Sequence, residues 1–532
     1  MLLNIQSLYR TTKYTIKTRN GLLDTIQSNL GLKQGCPLSP ILFNLYINNF
    51  ATYLTDQGEN ELKLGNEHIS HIFYADDLVI FAESKEKLQN KLDQLEKFSK
   101  DKDLTVNAEK SKVMIFNKAG RRIQQPFTIN GENMEVVQSF TYLGVDITAS
   151  GTFSPAIKEL CSKAKKAMMP LFRVILQFQM PFKQSLQLFH TYIEPILLYN
   201  SENWMTFTDK QLEKCRASSL AHYRHAINAP CTTAQLKFYK FILGVKRQTP
   251  NLAVFGEIAR LPLALKAHLN VMKYWNRIRH MDRDTLVNQA YWENVRMDSN
   301  WCRTVQHLNV THNLHDRRNF NRKKFPGIAK KTIQKDFILF WKTTISNENI
   351  EKKLGFYSKY KDDFEQQPYL NLPNFDDRQR ISKFLCSDHP LEIERGRYRI
   401  NKPPREERVC TTCDQGVTED EKHFILDCPA YHDLRSNIFG DNIDSNTKPE
   451  DLVKTIPPTT LTKYIKLALK HREEKFSVVA ISPDDMKVTV RIKKPSEEPP
   501  PRVLNHLEVS FSSPGALKFR IRRKRTTPTL QS

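Results

Sequence analysis

An acidic turn between two apolar runs constrains the fold of this chain more than any other feature. Residues 71–74 and 78–81 have the composition of short β-strands, and Ala75, Asp76 and Asp77 lie between them. Apolar runs on either side of a tight turn predict a β-hairpin. Adjacent aspartates at its tip can offer oxygen ligands to Mg²⁺ while the strands hold the backbone rigid. The alternative is an acidic surface turn that binds no metal.

The overall charge favours a polyanionic partner. Lys and Arg outnumber Asp and Glu by 81 to 58 in the 532 residues, which gives a formal charge of +23. Each phosphate that a basic surface neutralises releases condensed counterions, so nucleic acid is the expected ligand. The stretch 317–335 has eight basic residues, no acidic one, and Phe320 and Phe325 between them, which suits single-stranded nucleic acid. A basic surface that is merely solvated is the alternative in both cases.

The same sequence argues against a membrane protein or a secreted protein. No segment has the roughly 18 apolar residues that a membrane span requires, and the N-terminus has no signal-peptide pattern. Nine cysteines, most of them scattered, are typical of a reducing compartment rather than of a disulfide framework. We therefore expect a protein of the nucleus and cytoplasm without a membrane partner.

Local patterns divide the chain into four predicted regions. Residues 1–150 mix strand-like runs, turns and a helix, which predicts an α+β unit. Residues 151–375 have helical periodicity throughout, and residues 376–440 contain a cluster of cysteines. Residues 441–532 include a proline-rich linker and a basic tail.

Capping and turn residues predict where two helices begin and where one hairpin turns. Ser84 precedes a helical apolar pattern and is the expected N-cap of a helix. Asn130 and Gly131 form a dipeptide that is typical of a two-residue hairpin turn. Ser154 and Pro155 begin a second helical pattern, because proline suits the first turn of a helix.

A second group of residues has the chemistry of a zinc site. It has the spacing Cys-x₂-Cys-x₉-His-x₄-Cys and consists of Cys410, Cys413, His423 and Cys428. Three thiolates and one imidazole match a closed tetrahedral Zn²⁺ site, and a reducing context supports it. The alternative is a chance cluster of free cysteines. Cys386 and His432 lie nearby and are alternative ligands.

Further blocks of sequence carry a family resemblance. They are residues 31–40 (GLKQGCPLSP), 107–112 (NAEKSK), 140–144 (FTYLG) and 199–204 (YNSENW). With the Tyr-Ala-Asp-Asp turn in its place between them, the chain resembles the reverse transcriptases of non-LTR (LINE-type) retrotransposons over most of residues 1–435. The resemblance implies a partial right-hand polymerase palm with an antiparallel sheet and helices, then a mostly α thumb and connection region, then a small zinc-knuckle segment.

The resemblance also implies a reaction and its metal ligands. A reverse transcriptase extends a DNA primer or target along an RNA template, using deoxynucleoside triphosphates. Two Mg²⁺ ions stabilise the attacking and leaving oxygens of such a displacement. In this chain Asp76 and Asp77 would be catalytic Mg²⁺ ligands. The zinc region would hold template RNA or target DNA.

The resemblance assigns Gln34, Gly35, Pro37 and Tyr74 to the nucleotide and template pocket. Gly35 would allow the backbone to approach a base or sugar closely. A loop that only caps the following helix is the alternative for the block around Gly35.

Other blocks imply further contacts to substrate. Lys110 is a candidate proton donor to pyrophosphate or a phosphate contact, with a solvated lysine as the alternative. Tyr142, Leu143 and Gly144 correspond to the primer grip, although a core strand would explain their apolar character equally well. Asn200 stands where the family has glycine, and we expect it to be tolerated because asparagine adopts left-handed conformations readily.

One departure from the family pattern bears on activity. Two metals need a further carboxylate from a strand well upstream of the 31–40 block, and Asp24, the only acid before Gly35, lies too close to that block to be assigned the role. We therefore expect this chain to lack the first palm aspartate and to be inactive alone. The alternative function is a catalytically dead, retrotransposon-derived protein that still binds nucleic acid.

Overall fold

The computed structural model describes residues 2–479 apart from short gaps, the longest being 56–61 and 315–321, and it also describes residues 508–511 and 517–520. Contacts group Met1–Arg472 into one compact unit and Glu473–Ser532 into another. None of the described helices is long and apolar enough to cross a membrane.

The first 150 residues combine short strands with four helices. The helices are α1 (Leu2–Tyr9), α2 (Ser39–Ile47), α3 (Asn49–Thr55) and α4 (Lys85–Asp101). The strands are β1 (Thr12–Tyr14), β2 (Lys17–Thr18), β3 (Gly21–Leu22), β4 (Ile26–Ser28), β5 (Leu62–Leu64), β6 (Glu67–Ile69), β7 (His71–Tyr74), β8 (Asp77–Ile80), β9 (Lys112–Val113), β10 (Thr128–Ile129), β11 (Glu132–Asn133), β12 (Glu135–Val136), β13 (Ser139–Tyr142) and β14 (Val145–Thr148). The mixture of helices and strands expected of this region is confirmed.

Among the described residues the strands pair in twos and do not form one continuous sheet. The pairs are antiparallel except for β9 with β12, which run parallel. Asn130 and Gly131 have φ values of 51° and 77° between β10 and β11, which confirms the predicted hairpin turn.

Helix α4 forms as its sequence predicts. The Ser84 side chain accepts a hydrogen bond from the Lys87 N–H at 3.2 Å and so caps the helix. Leu92 and Phe98 on its apolar face are buried, and they pack towards separate small clusters of β-strand and helix residues. The helix thereby joins the strands of this region to each other.

The remainder of the first unit is helical. Its helices are α5 (Ser154–Gln177), α6 (Phe182–Leu188), α7 (Glu194–Leu198), α8 (Ser201–Trp204), α9 (Asp209–Ala217), α10 (Ser219–Asn228), α11 (Pro230–Leu243), α12 (Asn251–Ile258), α13 (Leu263–Arg279), α14 (Leu286–Arg296), α15 (Asn300–Thr311), α16 (Phe325–Ile345), α17 (Gly355–Tyr360), α18 (Phe375–Leu385), α19 (Glu392–Arg395), α20 (His432–Phe439), α21 (Pro449–Thr455) and α22 (Pro458–Val479), the last of which continues into the second unit. Single-turn π-helical segments cover Phe189–Ile193 and His423–Asp427. Helix α5 begins at Ser154 as expected, and Pro155 lies in its first turn.

One continuous apolar core runs through this helical part. It includes residues from Leu160 on α5 to Ala468 on α22, and the three cysteines of the zinc-type cluster belong to it. Phe325 belongs to this core, is 1% exposed and packs against Trp275. Its expected role as an exposed aromatic contact for nucleic acid is therefore wrong, because the start of α16 needs it for packing. Phe320 lies outside the described residues.

The second unit contains the end of α22 and a hairpin of two strands. These are β15 (Glu508–Phe511) and β16 (Leu517–Arg520), which pair antiparallel. The proline-rich segment predicted as a linker and most of the basic tail lie outside the described residues.

Candidate active site and metal centre

Strands β7 and β8 form the predicted acidic hairpin. Their register pairs Tyr74 with Asp77, so Ala75 and Asp76 make a two-residue tip. Ala75 has φ of 53°, in the left-handed region that two-residue hairpin turns use. Asp76 and Asp77 are both exposed, as is Tyr74. The hairpin thus presents two adjacent carboxylates to solvent.

An aromatic cluster holds the base of this hairpin. Phe50 of α3 is fully buried, and its ring centroid lies 5.2 Å from His71, 5.6 Å from Phe73 and 5.0 Å from Phe98. Edge-to-face and tilted packing at these distances is favourable beyond the area it buries. The cluster fixes β7 against α3 and α4, so the exposed tip stands on a packed base.

A buried lysine joins the end of the same hairpin to α4. Lys91 is 1% exposed, and its Nζ donates to the Phe81 carbonyl at 2.9 Å. The Phe81 N–H in turn donates to the Ser70 carbonyl at 2.8 Å, which closes the hairpin at its open end. Neither Phe50 nor Lys91 was predicted from the sequence, although a lysine on the apolar face of α4 is a visible signal.

The β13–β14 hairpin lies close enough to the acidic tip to interact with it electrostatically. Partial burial raises the pKa of Tyr142, and the carboxylate of Asp77 raises it further. Tyr142 was predicted to belong to the primer grip and Asp77 to be a metal ligand. The carboxylate of Asp77 thus acts electrostatically on Tyr142, which was predicted for a different part of the site.

The tip of the β13–β14 hairpin rests on a residue from the helical part. Leu143 and Gly144 have φ values of 46° and 77°, as a tight two-residue turn requires. The Tyr199 hydroxyl donates to the Leu143 carbonyl at 2.7 Å. A Cβ at Gly144 would lie 3.3 Å from the Tyr199 ring, closer than most such contacts. Two of the sequence blocks, 140–144 and 199–204, are thus in direct contact.

The 199–204 block forms a bend with a left-handed residue. Asn200 has φ of 55° and ψ of 27°, so the expectation that asparagine replaces glycine in this conformation is confirmed. Trp204 is 2% exposed, and its Nε1 donates to the Tyr199 carbonyl at 2.7 Å. The buried indole thereby holds the backbone of Tyr199, whose ring supports the turn at Leu143.

The turn at Gly35 leads into α2, whose N-cap residue Leu38 makes no side-chain capping hydrogen bond. The Cys36 N–H donates to the Lys33 carbonyl at 3.2 Å, and Gly35 has φ of 81°. The Ser39 Oγ also donates to the Lys33 carbonyl at 2.7 Å. It forms a second hydrogen bond of 3.1 Å with the Tyr9 hydroxyl. These hydrogen bonds join the turn to Tyr9 of α1 and to Ser39 at the start of α2.

The nucleotide-pocket roles of this block therefore stay predictions. Gly35 and Pro37 are exposed, and among the described residues no side chain lies within 4 Å of where a Gly35 Cβ would stand. Space for a ligand is thus left beside the turn. Gln34 lies outside the described residues.

Lys110 lies in a turn built on an asparagine. The Asn107 Oδ1 accepts from the Lys110 N–H at 3.0 Å, and the Asn107 carbonyl accepts from the Ser111 N–H at 3.0 Å. The Lys110 side chain is exposed. Its position leaves the choice between a phosphate contact and a solvated lysine to experiment.

The predicted zinc ligands converge in the helical part. Their ligand atoms all lie within 4.8 Å of one another, and all four residues are buried: Cys410, Cys413, His423 and Cys428. The Cys413 Sγ lies 3.3 Å from the His423 Nε2. Hydrogen bonding to the Cys428 thiol lowers the pKa of the Cys410 thiol well below its usual value, with burial opposing that shift.

Local backbone structure explains how the four ligands meet. The Cys410 N–H donates to the Val417 carbonyl at 2.8 Å across a bend in which Gly416 has φ of 63°, so Cys410 and Cys413 face one side. His423 begins the π-helical segment His423–Asp427, and its carbonyl accepts a hydrogen bond from the Cys428 N–H at 2.7 Å. This turn brings the last two ligands to the first two.

The alternative zinc ligands do not join this group. His432 is exposed at the start of α20. Cys386 is fully buried, and burial raises the pKa of its thiol, with Glu257 and Asp388 acting in the same direction. The candidate ligands of this ion are therefore Cys410, Cys413, His423 and Cys428, without Cys386 or His432.

A buried ionic network surrounds the cluster. The Cys410 Sγ lies 3.6 Å from the Glu419 Oε1, and Glu419 forms an ion pair with Arg472 of α22. Arg472 also lies 3.5 Å from a Glu392 carboxylate oxygen. Burial raises the pKa of Glu419 to about 7. Such groups orient ligands and tune their basicity in metal sites, and the sequence pattern gave no sign of them.

Comparisons with known proteins match the first part of the chain. Residues 3–147 match the family model described as reverse transcriptase (RNA-dependent DNA polymerase). That segment includes the acidic hairpin, the Gly35 turn and the Leu143–Gly144 turn.

Relatives of this chain come from insect retrotransposable elements. A Pol polyprotein from the type-1 element R2 of Popillia japonica is 28% identical over 137 residues, which are 24% of this chain and 23% of the relative. Its counterpart from Nasonia vitripennis is 28% identical over 158 residues, 28% of this chain and 15% of the relative. The Pol polyprotein of the type-2 element R2DM of Drosophila melanogaster is 34% identical over 131 residues, 23% of this chain and 12% of the relative.

The chain thus spans less than a quarter of the length of each of these three relatives. Residues 3–147 are therefore similar to reverse transcriptases, and the relatives are Pol polyproteins of R2 retrotransposable elements.

Proposed function

We propose that this chain contributes to RNA-directed DNA synthesis of a non-LTR retrotransposon, with nucleotidyl transfer at Asp76 and Asp77. The observation that carries the proposal is the position of these exposed carboxylates, on a packed hairpin and within electrostatic reach of Tyr142. The match to the reverse transcriptase family over residues 3–147 supports it.

The donor set at the hairpin fits Mg²⁺. Asp76 and Asp77 offer hard oxygen atoms in an open position, and Mg²⁺ takes one or two carboxylates together with substrate phosphates and water. Two Mg²⁺ ions bound there would stabilise negative charge on the oxygen that attacks the α-phosphate and on the oxygen that leaves it. A buried site would exclude the triphosphate, so the exposure of both carboxylates favours this role.

The rest of the site would position the reacting groups. The turn at Leu143 and Gly144, supported by Tyr199, would hold the 3′ end of the DNA primer beside the acidic tip. Gln34, Gly35, Pro37 and Tyr74 would bind the incoming nucleotide and template. Alignment of the 3′ hydroxyl with the α-phosphate is worth several orders of magnitude in rate, so rigid turns suit this task.

Lys110 would act on the leaving group. Its exposed ammonium could neutralise charge on the departing pyrophosphate or give it a proton. Replacing it by alanine should then slow extension without changing binding of the RNA–DNA duplex.

The cysteine-histidine cluster would hold a structural Zn²⁺. Three thiolates and one imidazole, all buried and mutually within reach, fit a closed tetrahedral site. Held in this way, the 376–440 region would present its basic residues to template RNA or target DNA. Arg395, Arg397 and Arg405 are at least partly exposed there.

Nucleic-acid binding without polymerisation is the second candidate function. It is favoured by the formal charge of +23, because basic side chains bind phosphates whether or not the acidic turn holds a metal. Under this candidate, the basic surface and the zinc region retain RNA and the acidic turn is idle.

Primer extension on poly(rA)–oligo(dT) with Mg²⁺ separates the two functions. Polymerisation requires extension by the unaltered chain that Asp76→Asn lowers roughly a hundredfold or more. The exposed Asp101 at the end of α4 gives a matched control, since Asp101→Asn should leave the rate unchanged. Because this chain is expected to be inactive alone, only a positive result decides in favour of polymerisation. Without extension, RNA affinity that falls steeply with salt would support the second candidate, and a flat salt dependence would count against it.

A further inference from the structure

The helical part of the chain contains a second group of residues with metal-binding chemistry, away from the zinc-type cluster. Five histidines surround the buried ring of Phe207 or one another: His222, His225, His268, His307 and His312. They come from α10, α13, α15 and the residue after α15. Cys215 of α9 joins them. Clustered buried imidazoles from separate helices are rare in cores that need only apolar packing.

Three of these residues have the spacing of ligands to one ion. The ligand atoms of Cys215, His222 and His307 all lie within 4.8 Å of one another, and the three side chains are buried. The His222 Nδ1 lies 3.1 Å from the His307 Nε2. Two zinc–nitrogen bonds of about 2.0–2.1 Å at a tetrahedral angle would put the nitrogens roughly 3.3 Å apart. The observed separation is therefore close to what a shared ion would produce.

Unsatisfied nitrogens give independent evidence. His268 is fully buried, and within the described part of the chain neither of its ring nitrogens has a hydrogen-bond partner. The His222 Nε2 is likewise without one among the described residues. A buried polar atom left unpaired destabilises the fold, so several in one place require an explanation.

A core of neutral imidazoles explains these contacts less well than a metal does. One hydrogen bond between His222 and His307 would satisfy one donor and one acceptor only. His268, whose ring centroid lies 5.3 Å from that of His222, would remain unpaired on both sides. An ion bound by Cys215, His222 and His307 leaves a fourth ligand position. His268, which carries two unpaired nitrogens, lies outside this 4.8 Å group and would move towards the ion to fill that position.

The surroundings also resemble a supported metal site. The ring of His312 lies 5.5 Å from that of His222, and its Nδ1 lies 2.8 Å from a carboxylate oxygen of Asp336. A carboxylate behind the imidazoles adds negative charge near a site with a single thiolate ligand. This arrangement favours a divalent cation over an empty cluster.

We propose that Cys215, His222 and His307 form a second structural zinc site, with His268 as its fourth ligand. The site would tie α9, α10, α13 and α15 together around Phe207. It is independent of the polymerase proposal, because it lies in the helical part and uses none of the residues assigned to nucleotidyl transfer.

Metal content of the full chain tests the proposal. Purified with Zn²⁺ as the only added metal and then dialysed, the Cys410→Ser/Cys413→Ser variant should still contain about one zinc per chain. Adding Cys215→Ser to it should bring the zinc content close to zero. Cys302→Ser is the matched control, since Cys302 is also a buried cysteine and lies on the helix that carries His307.

Co²⁺ in place of Zn²⁺ gives a readout that does not depend on stability. In the Cys410→Ser/Cys413→Ser background, bound Co²⁺ should show tetrahedral visible bands and one thiolate charge-transfer band. Cys215→Ser should remove the charge-transfer band, and His222→Gln should weaken the visible bands. A background variant that keeps the helical circular dichroism of the unaltered chain but holds no metal would overturn the proposal. So would a Cys215→Ser variant that matches Cys302→Ser in metal content and spectrum.

Discussion

The acidic hairpin and the cysteine-histidine cluster are two candidate metal sites built in opposite ways. Asp76 and Asp77 lie exposed at the tip of four-residue strands, held from below by the Phe50 cluster. The residues of the cluster, from Cys410 to Cys428, are between 0 and 8% exposed, and its three cysteines belong to the largest core of the molecule. One site is open on a small support, and the other is closed within a large one.

The difference follows from what each ion needs. Mg²⁺ keeps several waters and completes its coordination with substrate phosphates, so its protein ligands have to remain accessible. A structural Zn²⁺ takes all four ligands from the protein and contributes to folding directly. We therefore expect changes at the acidic tip to affect catalysis with little effect on stability, and changes at the cluster to do the reverse.

Loss of the zinc cluster should have the largest effect on stability. A structural zinc contributes about 10–16 kcal/mol in small zinc domains, and less is expected where a packed core is already present. Cys413→Ser should lower the zinc content by one equivalent per chain and expose the 390–440 region to limited proteolysis. Mass spectrometry of the proteolytic fragments would locate the cleavage sites.

The matched control for that prediction is His432→Gln. His432 is exposed close to the cluster and was an alternative ligand by sequence alone. Its replacement should change neither zinc content nor the cleavage pattern. If Cys413→Ser gave the same pattern as His432→Gln, the cluster would be a group of free thiols and the contrast with the acidic hairpin would disappear.

Local signals in the sequence predicted the ends and turns of elements well. Ser84 caps α4, Asn130 and Gly131 form a left-handed turn, and Asn200 takes the conformation of the glycine it replaces. Each depends on backbone preferences within a few residues, which a sequence displays directly. The spacing of Cys410 and Cys413 is a local signal of the same kind.

Contacts between distant segments could not be predicted in that way. Tyr199 bonds to Leu143 across 56 residues, and Phe50 joins β7 to α4 from a helix whose pattern gave no indication of either. The histidine group needs four helices to meet, and its members are far apart in the sequence. Phe325 was misinterpreted for the same reason, since its basic neighbours were visible and its buried partner Trp275 was not.

The support of the acidic hairpin should show the next largest effect. Phe50→Ala removes a fully buried ring, and substitutions of this type cost about 3–5 kcal/mol. Hydrogen exchange of the 69–82 peptide should accelerate by roughly a hundredfold or more, because the hairpin loses its base. Exchange near Cys410 should not change, which tests whether the two sites are independent.

Phe116→Ala is the control for this experiment, since that ring is 60% exposed. It should change exchange in the 69–82 peptide little. Equal acceleration by both variants would show that the hairpin is not held by the Phe50 cluster.

The contact between Tyr199 and the Leu143 turn should have a smaller effect. Tyr199→Phe removes one hydrogen bond and keeps the ring, which costs about 0.5–1.5 kcal/mol. Exchange of the amides around Val145 should then be faster by roughly threefold to tenfold. Tyr192→Phe, at an exposed tyrosine on the preceding π-helical turn, should leave that exchange unchanged, and a matching response from both would contradict the role of Tyr199.

Strain at the acidic tip should give the smallest effect, and in the opposite direction. Ala75 has φ of 53°, which costs a residue with a side chain about 1–2 kcal/mol relative to right-handed backbone. Glycine avoids this cost but loses about 0.5–1 kcal/mol of backbone entropy. Ala75→Gly should therefore stabilise the hairpin by about 0.5–1 kcal/mol and slow exchange of the 69–82 peptide roughly twofold to fivefold. Ala82→Gly, just beyond the hairpin and without a positive φ, should not slow exchange. If both variants had the same effect, the tip would store no strain, and only exposure would distinguish it from the closed zinc cluster.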